Sequence, residues 1–292
     1  MKVSGFAIAR NVLKADYPIG ESLKSIEPLC DEIVVAIGNS DDDTRSFIAN
    51  LGLKNLKIID TIWDDNLRVG GKVLADETNK ALENVSKESD WCFYIQADEC
   101  IHEDDLPIIQ KALIDYKDDN RVDGLLFRYR HFYGSYDYLG DSRRWYRNEI
   151  RIIKNTGNFK SWKDAQGFRT KNDEKLNVMP IEARIFHYGW VKHPKDQQVK
   201  QEQFHRLWHD DKYMNKHVYQ RNEFNYSEID SLTRFNETHP SIMKERIERI
   251  NWNFDFDVSK KNFNFKSFIL YWIEKITGKR IGEYRNYILL KP

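Results

Sequence analysis

The stretch Asp90–Asp105, DWCFYIQADECIHEDD, decides the fold that this sequence predicts. Its first part, Trp91–Ile95, is a compact run of mainly aromatic and β-branched residues, the composition of a strand buried on both faces. The run stops at the polar cluster Gln96–Glu99, and an apolar pattern at helical spacing begins at Leu106. A buried strand that ends in carboxylates is typical of an open α/β sheet, which binds ligands just beyond the carboxyl ends of its strands.

The acidic residues of this stretch fall into two groups with different explanations. Residues 103–105 precede the helical pattern, and carboxylates there favour the positive end of a helix dipole. That explanation does not cover Gln96, Asp98 and Glu99, which follow the strand directly. Oxygen ligands at this position suit Mg²⁺ or Mn²⁺ bridging a diphosphate, so we expect a ligand site at the end of this strand.

Composition and charge exclude several classes of protein. The chain has 292 residues, 40% of them hydrophobic, enough for a sizeable core in one large or two small domains. Its net charge is zero, so we expect no nucleic-acid partner. The small, odd set of cysteines (Cys30, Cys92 and Cys100) lacks metal-ligand spacing and argues for a reducing compartment. Because no apolar run has the length of a membrane span or signal peptide, we expect a cytoplasmic protein.

The order of strand-like and helix-like patterns predicts the architecture. Single helix-like patterns separate four strand-like runs, which lie at 3–10, 32–37, 56–59 and 91–95. This alternation indicates a parallel, doubly wound sheet, so we expect an α/β fold with a Rossmann-like, mostly parallel central sheet flanked by helices.

The second part of the chain has a different pattern. Three further short strands are predicted, at 124–130, 149–153 and 183–187, around a polar, aromatic stretch that is too irregular for regular elements throughout. From Pro194 the pattern is mostly helical, and we expect residues 231–292 to form a helical C-terminal extension.

Six segments now stand in a specific order: SGFAIARN (4–11), DEIVVAIGNSDDDT (31–44), GGKVLADETNKAL (70–82), DWCFYIQADE (90–99), RWYRNEIRIIKN (144–155) and FHYGWVK (186–192). In this order and spacing they resemble family 2 glycosyltransferases of the GT-A fold, over residues 3–215. The resemblance implies a GT-A catalytic domain, which we assign to residues 1–230. It also implies inverting transfer of a sugar from a nucleotide-diphosphate sugar to an acceptor hydroxyl, with Mn²⁺ or Mg²⁺ as cofactor.

The resemblance assigns the metal site position by position. The Asp-x-Asp motif of the family corresponds to Gln96-Ala97-Asp98, so Asp98 is the expected direct metal ligand. Gln96 replaces an aspartate and offers only a neutral oxygen to the cation or to a sugar hydroxyl, which implies weaker metal binding. The resemblance implies that His187 is a second metal ligand or a phosphate contact, and a purely structural imidazole is the alternative. His205 and His209, one helical turn apart, are interpreted as a solvated face and not as a metal site.

Several residues are candidates for binding the nucleotide. Many relatives carry an aspartate before the Asn-Ser turn to grip the base, but Gly38 stands there. Base recognition then falls to Asn39, to Asp41 or Asp43, or to Ala9 and Arg10 at the end of the first strand. Three cationic residues are candidates for contacts with phosphate: Lys72, Arg10 and Lys192. The alternative for each of them is an ordinary surface charge.

Inverting transfer needs a base that takes the proton of the acceptor hydroxyl. Relatives carry an acidic base after the RIIKN strand, which corresponds to Asp164 in SWKDAQGFR. Asp164 has a structural alternative, an Asx-turn closed near Gly167. Glu149 and Asp141 are the reserve candidates for the base.

We therefore expect an inverting glycosyltransferase that builds a surface polysaccharide or another glycan, on a glycan or lipid-linked glycan acceptor. The alternatives are a catalytically inactive glycan- or nucleotide-binding protein on the same scaffold and a sugar-phosphate nucleotidyltransferase. A sugar-phosphate nucleotidyltransferase would need a glycine-rich phosphate loop after the first strand. The segment after the first strand here, AIARNVLKADYP, has no such loop.

The segment KKNFNFKSFILYWIEKITGKR (260–280) mixes basic and aromatic residues and has two interpretations. In the one that we favour, a helix packs its aromatic side chains onto the catalytic domain. In the other, the helix makes a peripheral contact with an anionic membrane, at the inner face, where lipid-linked acceptors reside.

Overall fold

A computed structural model describes residues 1–68, 70–219 and 221–291. Within these ranges the strands are β1 (Val3–Ala9), β2 (Glu32–Gly38), β3 (Leu56–Thr61), β4 (Trp91–Tyr94), β5 (Glu99–Ile101), β6 (Gly124–Tyr133), β7 (Ser135–Gly140), β8 (Asn148–Lys154), β9 (Phe159–Trp162), β10 (Gly167–Thr170), β11 (Leu176–Trp190), β12 (Leu232–Arg234) and β13 (Tyr287–Leu289). The α-helices are α1 (Ile19–Ile26), α2 (Thr44–Ala49), α3 (Lys72–Glu83), α4 (Leu106–Tyr116), α5 (Pro194–Arg206), α6 (Asp211–His217), α7 (Lys244–Glu248) and α8 (Phe265–Thr277). Short 3₁₀ turns lie at Glu27–Leu29, Glu103–Asp105 and Ser241–Met243.

The first four strands form a parallel unit in the order β3-β2-β1-β4. Both faces of this unit are covered. On β2, Ile33, Val35 and Ile37 pack in the core that includes α1 and α4, whereas Val34 and Ala36 pack in the core that includes α3. Because the strands are buried on both faces, their sequences are continuous apolar runs. The expected α/β fold, with a central sheet flanked by helices, is confirmed.

The sheet continues with mixed strand directions. Strand β8 pairs antiparallel with β4, and β6, β7 and β12 extend this edge. The long strand β11 runs parallel to β6 and pairs antiparallel with the short strand β5. The sequence patterns underestimate β11, which is 15 residues long, and miss β5 and β7. Strand β7 is hard to recognise because its alternation is short: Tyr136 and Tyr138 are buried on either side of the exposed Asp137, within a polar, aromatic stretch.

The residues after 230 form strands as well as helices. Strand β12 joins the edge of β7, and β13 pairs with the start of β11. Helix α8 is attached through Asp141, which accepts hydrogen bonds from Tyr271 Oη (2.5 Å) and Lys275 Nζ (2.6 Å). The preferred interpretation, that this helix packs its aromatic side chains inward, is correct for Tyr271 but wrong for Phe265, Phe268 and Trp272, which are exposed. None of the described helices has the length and apolar character needed to cross a membrane.

One buried ion pair ties the two halves of the sheet together. Glu99, the first residue of β5, accepts two hydrogen bonds of 2.8 Å from Arg151 of β8, and both side chains are fully buried. The hydroxyl of Tyr129 donates to the same carboxylate at 2.7 Å. The Arg151 guanidinium also lies over the rings of Tyr94 and Tyr129, 5.3 Å from each centroid. Glu99, which the sequence pattern groups with the ligand-binding residues, therefore has a structural role.

We expect Arg151→Met to lower the free energy of unfolding by about 3–5 kcal/mol, because it leaves the Glu99 carboxylate buried without its charged partner. Urea unfolding followed by circular dichroism measures this loss. The matched control is Arg45→Met, which breaks the exposed pair between Arg45 and Asp60 and should cost no more than about 1 kcal/mol. Equal losses in the two variants would contradict the structural role of the buried pair.

Candidate functional site

A cavity of about 550 Å³ lies at the carboxyl ends of β1 and β4. Strand β1 pairs with β2 on one side and with β4 on the other, so the strand order reverses there. Such a reversal opens a crevice where α/β sheets bind ligands. Six of the residues expected from the sequence line this cavity: Ala9, Arg10, Gln96, Asp98, Asp164 and His187. Residues that the sequence reasoning missed also line it, among them Trp63, Arg68, Tyr146 and Lys200.

The other expected residues are not among the described residues that line the cavity. Asn39 accepts a hydrogen bond from the backbone of Trp63, and Asp41 pairs with Lys14 at 2.7 Å. Asp43 lies at the start of α2, and Lys72 is the first residue of α3. The structure does not bring these four residues together in the cavity, and their role in nucleotide binding stays a prediction.

Three further candidates also lie elsewhere. Lys192 is buried and donates to the carbonyl oxygen of Asp16, and the Asp141 carboxylate is occupied by α8. Glu149 is buried behind the loop that carries Asp164. Neither reserve base therefore contacts the cavity through the residues described.

Trp63 fills the space beside Gly38, and position 38 is where the family resemblance implies an aspartate. The indole packs so closely that a Cβ atom added to Gly38 would lie 2.3 Å from Trp63 Nε1. Trp63 is 7% exposed, and its Nε1 donor has no hydrogen-bond partner among the described residues. The unpartnered N–H lies against Gly38, and Trp63 is also among the residues that line the cavity. No periodic pattern surrounds Trp63, so the sequence does not identify it as a residue of the site.

Asp98 is the buried carboxylate of the site. Its Oδ2 accepts a hydrogen bond of 2.9 Å from Lys200 Nζ, which also donates to the carbonyl oxygen of Gly189 at 2.7 Å. Burial by itself would raise the pKa of Asp98, but the Lys200 ammonium outweighs it and holds that pKa well below its ordinary value. The carboxylate is therefore ionised at neutral pH. Helix α5, which begins at Pro194, supplies Lys200 from more than 100 residues away in the chain.

His187 presents a lone pair towards this carboxylate. The buried imidazole of His131 contacts the carbonyl oxygen of Tyr146 through Nε2 (2.8 Å) and His187 Nδ1 through its own Nδ1 (3.1 Å). Burial lowers the pKa of both histidines, so both are neutral. Since a carbonyl only accepts, His131 carries its proton on Nε2, and His187 must donate from Nδ1. His187 Nε2 is then unprotonated and lies 3.7 Å from Asp98 Oδ2.

These two groups fit a divalent cation. A metal-binding histidine commonly donates its second ring N–H to a fixed acceptor, as His187 does to His131. Asp98 Oδ2 already contacts the Lys200 ammonium, and the lone pair of His187 Nε2 beside it is a second electron-pair donor of a type that binds metal ions. No cluster of three or more His, Cys, Asp or Glu side chains suited to a metal occurs in the described ranges. Further ligands would therefore come from a bound molecule or water, as is usual for Mg²⁺.

The loop that carries Asp164 is held in a strained conformation. Lys163 and Ala165, on either side of Asp164, have φ angles of 55° and 60°, which are uncommon for residues with a side chain. Gln96 Nε2 donates to the carbonyl oxygen of Ala165 at 3.3 Å and so fixes the loop to the end of β4. An aspartate at position 96 could not make this bond, which gives the replacement a structural reason. Strain of this kind clusters at functional sites.

Two carboxyl groups beside this loop have raised pKa values. Burial raises the pKa of Asp164, opposed by backbone N–H groups and by Lys163. Behind the loop, Glu149 accepts a hydrogen bond from Gln166 at 3.0 Å, and its second oxygen has no partner among the described residues. Burial raises the pKa of Glu149 to about 8, although Arg151 opposes the shift. Glu149 is therefore mostly protonated at neutral pH and unsuited to act as a base.

Comparisons with known proteins give the following result. No protein-family profile matches the chain, and no curated protein sequence matches it significantly. Staphylococcus aureus TarS (residues 1–349) is similar with a TM-score of 0.40 and 15% identity, over 70% of this chain and 64% of that one. Glucosyl-3-phosphoglycerate synthase from Mycobacterium tuberculosis, in complex with Mn²⁺, UDP and glucosyl-3-phosphoglycerate, has a TM-score of 0.32 and 18% identity over 44% of each chain.

A further similar structure is 4-diphosphocytidyl-2C-methyl-D-erythritol synthase from Anaerococcus prevotii, with a TM-score of 0.34 and 12% identity, over 53% of this chain and 70% of that one. The chain spans between 36% and 64% of the length of the three TarS structures. With TM-scores below 0.5, the activity of this chain has to be argued from its own residues.

We expect Glu149→Gln to flatten the dependence of stability on pH. The raised pKa means that the folded state holds a proton that the unfolded state has lost between the ordinary value of 4.5 and about 8. Within this window the free energy of unfolding falls as pH rises, by up to a few kcal/mol for one such group.

Thermal unfolding at a series of pH values from about 5 to 8.5 measures this dependence. The variant should lose less stability over that range than the wild type does, and Glu83→Gln, an exposed change on α3, should behave like the wild type. An unchanged slope in Glu149→Gln would show that Glu149 is ionised throughout.

Proposed function

We propose that this protein transfers a glycosyl group, with inversion, from a nucleotide-diphosphate sugar to an acceptor hydroxyl. One observation carries the proposal: a single cavity at the strand-order reversal combines Asp98, His187 and Lys200 with the separate carboxylate Asp164. The first set suits a diphosphate with a cation, and Asp164 suits the proton of an acceptor. In this proposal the chain is a GT-A glycosyltransferase of the family 2 type and acts on a glycan or lipid-linked glycan in the cytoplasm.

The donor nucleotide would lie along the end of β1. Trp63 would contact the nucleotide with its ring, and Arg10 packs over the indole with 5.4 Å between guanidinium carbon and ring centroid. Arg10 and Arg68 line the cavity, and each pairs with an aspartate that is largely exposed, Asp65 and Asp211. Exchange of an exposed carboxylate for a phosphate costs such a guanidinium little, which favours both as phosphate contacts.

Asp98 and His187 would hold Mn²⁺ or Mg²⁺. When bound, the cation would offset negative charge on the leaving nucleoside diphosphate. Lys200 supplies positive charge at the same place from the protein itself, because its ammonium is buried beside Asp98. Buried cations of this kind stabilise a developing anion more strongly than exposed ones do, since little water screens them.

We expect Mn²⁺ to strengthen nucleotide-sugar binding, and Asp98→Asn to abolish this effect, because the amide removes the anionic ligand. Isothermal calorimetry with UDP, GDP, CMP and dTDP sugars, with Mn²⁺ or with EDTA, measures the change. His131→Phe should weaken the metal effect about 10- to 100-fold, because His187 loses the acceptor that fixes its tautomer.

The control for this experiment is Asp43→Asn, which changes an acidic residue that does not line the cavity and should keep the wild-type metal effect. Equal donor affinity of the wild type with Mn²⁺ and with EDTA would contradict a metal at Asp98. That outcome would leave Lys200 as the cation of the site.

Asp164 is the proposed base. Its carboxylate would take the proton of the acceptor hydroxyl while the oxygen forms a bond to the anomeric carbon and the bond from that carbon to the diphosphate breaks. The proton ends on Asp164, and the electron pair of the broken bond leaves with the nucleoside diphosphate. Burial raises the pKa of Asp164 towards the pH at which it would work, which makes the group a better base.

We expect Asp164→Asn to reduce turnover about 10²- to 10⁴-fold while donor affinity stays nearly unchanged, because only the basic oxygen is lost. Transfer or donor hydrolysis under saturating donor measures turnover, and calorimetry measures affinity. Asparagine also closes Asx-turns, so if Asp164 had only a structural role, the variant would keep nearly the turnover of the wild type. Near-wild-type turnover would therefore eliminate Asp164 as the base.

The second candidate function is a nucleotide- or glycan-binding protein that has lost catalysis, which the replacement of an acidic ligand by Gln96 suggested. The hydrogen bond from Gln96 to Ala165 weakens that argument, since it supports the loop of the proposed base. Slow hydrolysis of any nucleotide sugar in a panel with Mn²⁺ would favour the enzyme. Tight binding without hydrolysis or transfer would favour the binding protein.

A further inference from the structure

Helix α8 turns its apolar side away from the protein. Twenty large hydrophobic side chains are exposed in the described part of the chain, and nine of them lie within residues 265–289. Five of the nine are on α8, at spacings of three and four that place them on one face: Phe265, Phe268, Ile269, Trp272 and Ile276. Phe265 and Ile276 are 81% and 80% exposed, so this face has no covering within the described chain.

The opposite side of α8 makes polar contacts with the protein. Tyr271 and Lys275 bind Asp141, and Glu274 pairs with Arg143 at 2.9 Å and with Arg280 at 3.1 Å. A surface helix of a globular protein normally buries its apolar stripe and exposes its charges. The reversed arrangement on α8 holds the apolar stripe outward in a fixed orientation.

The charge of the segment identifies what covers this face. Residues 260–291 contain eight lysine and arginine residues and two glutamates, a net charge of +6, in a chain whose total is zero. An apolar stripe flanked by basic residues is the composition of a helix that lies in the interface of an anionic membrane. A second copy of the chain would bring its own exposed lysines, among them Lys260, Lys266 and Lys279, to the same face, which opposes self-association.

We propose that α8 and the following residues 281–289 form a membrane-binding surface for anionic phospholipids. The apolar stripe enters the headgroup region, and exposed lysines such as Lys260, Lys266 and Lys279 contact lipid phosphates. The surface is connected to the cavity through residues 141–147: Arg280 donates to the carbonyl oxygen of Trp145 at 2.7 Å, and the next residue, Tyr146, lines the cavity. A membrane-borne acceptor would thus be held beside the site.

Co-sedimentation of the full chain with lipid vesicles tests this proposal. We expect binding to vesicles that contain phosphatidylglycerol, weaker binding to pure phosphatidylcholine, and loss of binding at high salt. The combined variant Phe265→Ser, Trp272→Ser and Ile276→Ser should bind about 100-fold more weakly, because it removes three inserting side chains. The charge variant Lys260→Glu, Lys266→Glu and Lys279→Glu should lose the preference for phosphatidylglycerol.

The matched control replaces three exposed isoleucines outside the surface: Ile108→Ser, Ile114→Ser and Ile250→Ser. It should bind vesicles as the wild type does. Equal vesicle binding by this control and the serine variant of α8, or no binding by the folded wild type, would overturn the proposal. So would a dimer in light scattering that the serine variant converts to a monomer without any lipid binding. Donor hydrolysis in solution is independent of these measurements, so failure here would leave the proposed glycosyl transfer intact.

Discussion

The ion pair between Glu99 and Arg151 is the constraint on which the site depends. Glu99 begins the short strand β5, and β5 pairs with β11 so that Glu99 lies opposite His187. The residue before Glu99 is Asp98, whose carbonyl oxygen accepts a hydrogen bond from Tyr188 at 2.8 Å. Arg151 therefore fixes, through one buried carboxylate, the distance between the two side chains proposed to bind a cation. Buried pairs seldom add much net stability over an apolar core, but they do specify a geometry when every polar group is satisfied.

Acidic and basic side chains both line the cavity. Asp98 is ionised and contacts Lys200, while the cationic residues Arg10 and Arg68 approach the cavity from the β1 side. Asp164, which also lines the cavity, has a pKa raised by burial. The basic groups would therefore attract a diphosphate, and Asp164 would accept a proton. This separation of roles suits transfer between a charged donor and a neutral hydroxyl.

The sequence predicted those parts that depend on neighbouring residues in the chain. The buried strands β1, β2 and β4 follow from continuous apolar runs. Asp98 and Asp164 were proposed as site residues because each follows a strand, and both line the cavity. Residues that act across long separations were missed: Lys200 approaches from α5, and His131 acts only through His187. Their sequence neighbourhoods carry no sign of the site. The outward face of α8 was also misjudged, because periodicity predicts that a helix has an apolar side but not which way that side points.

The contact between Gly38 and Trp63 makes the two positions depend on each other. Because the indole fills the space where a Cβ atom of residue 38 would lie, an aspartate at position 38 does not fit while Trp63 is present. Such an aspartate needs a smaller residue at position 63, and that change removes the surface beneath Arg10. An aspartate at position 38 and an indole that supports Arg10 are therefore mutually exclusive, and a variant designed to carry the aspartate has to change both positions together.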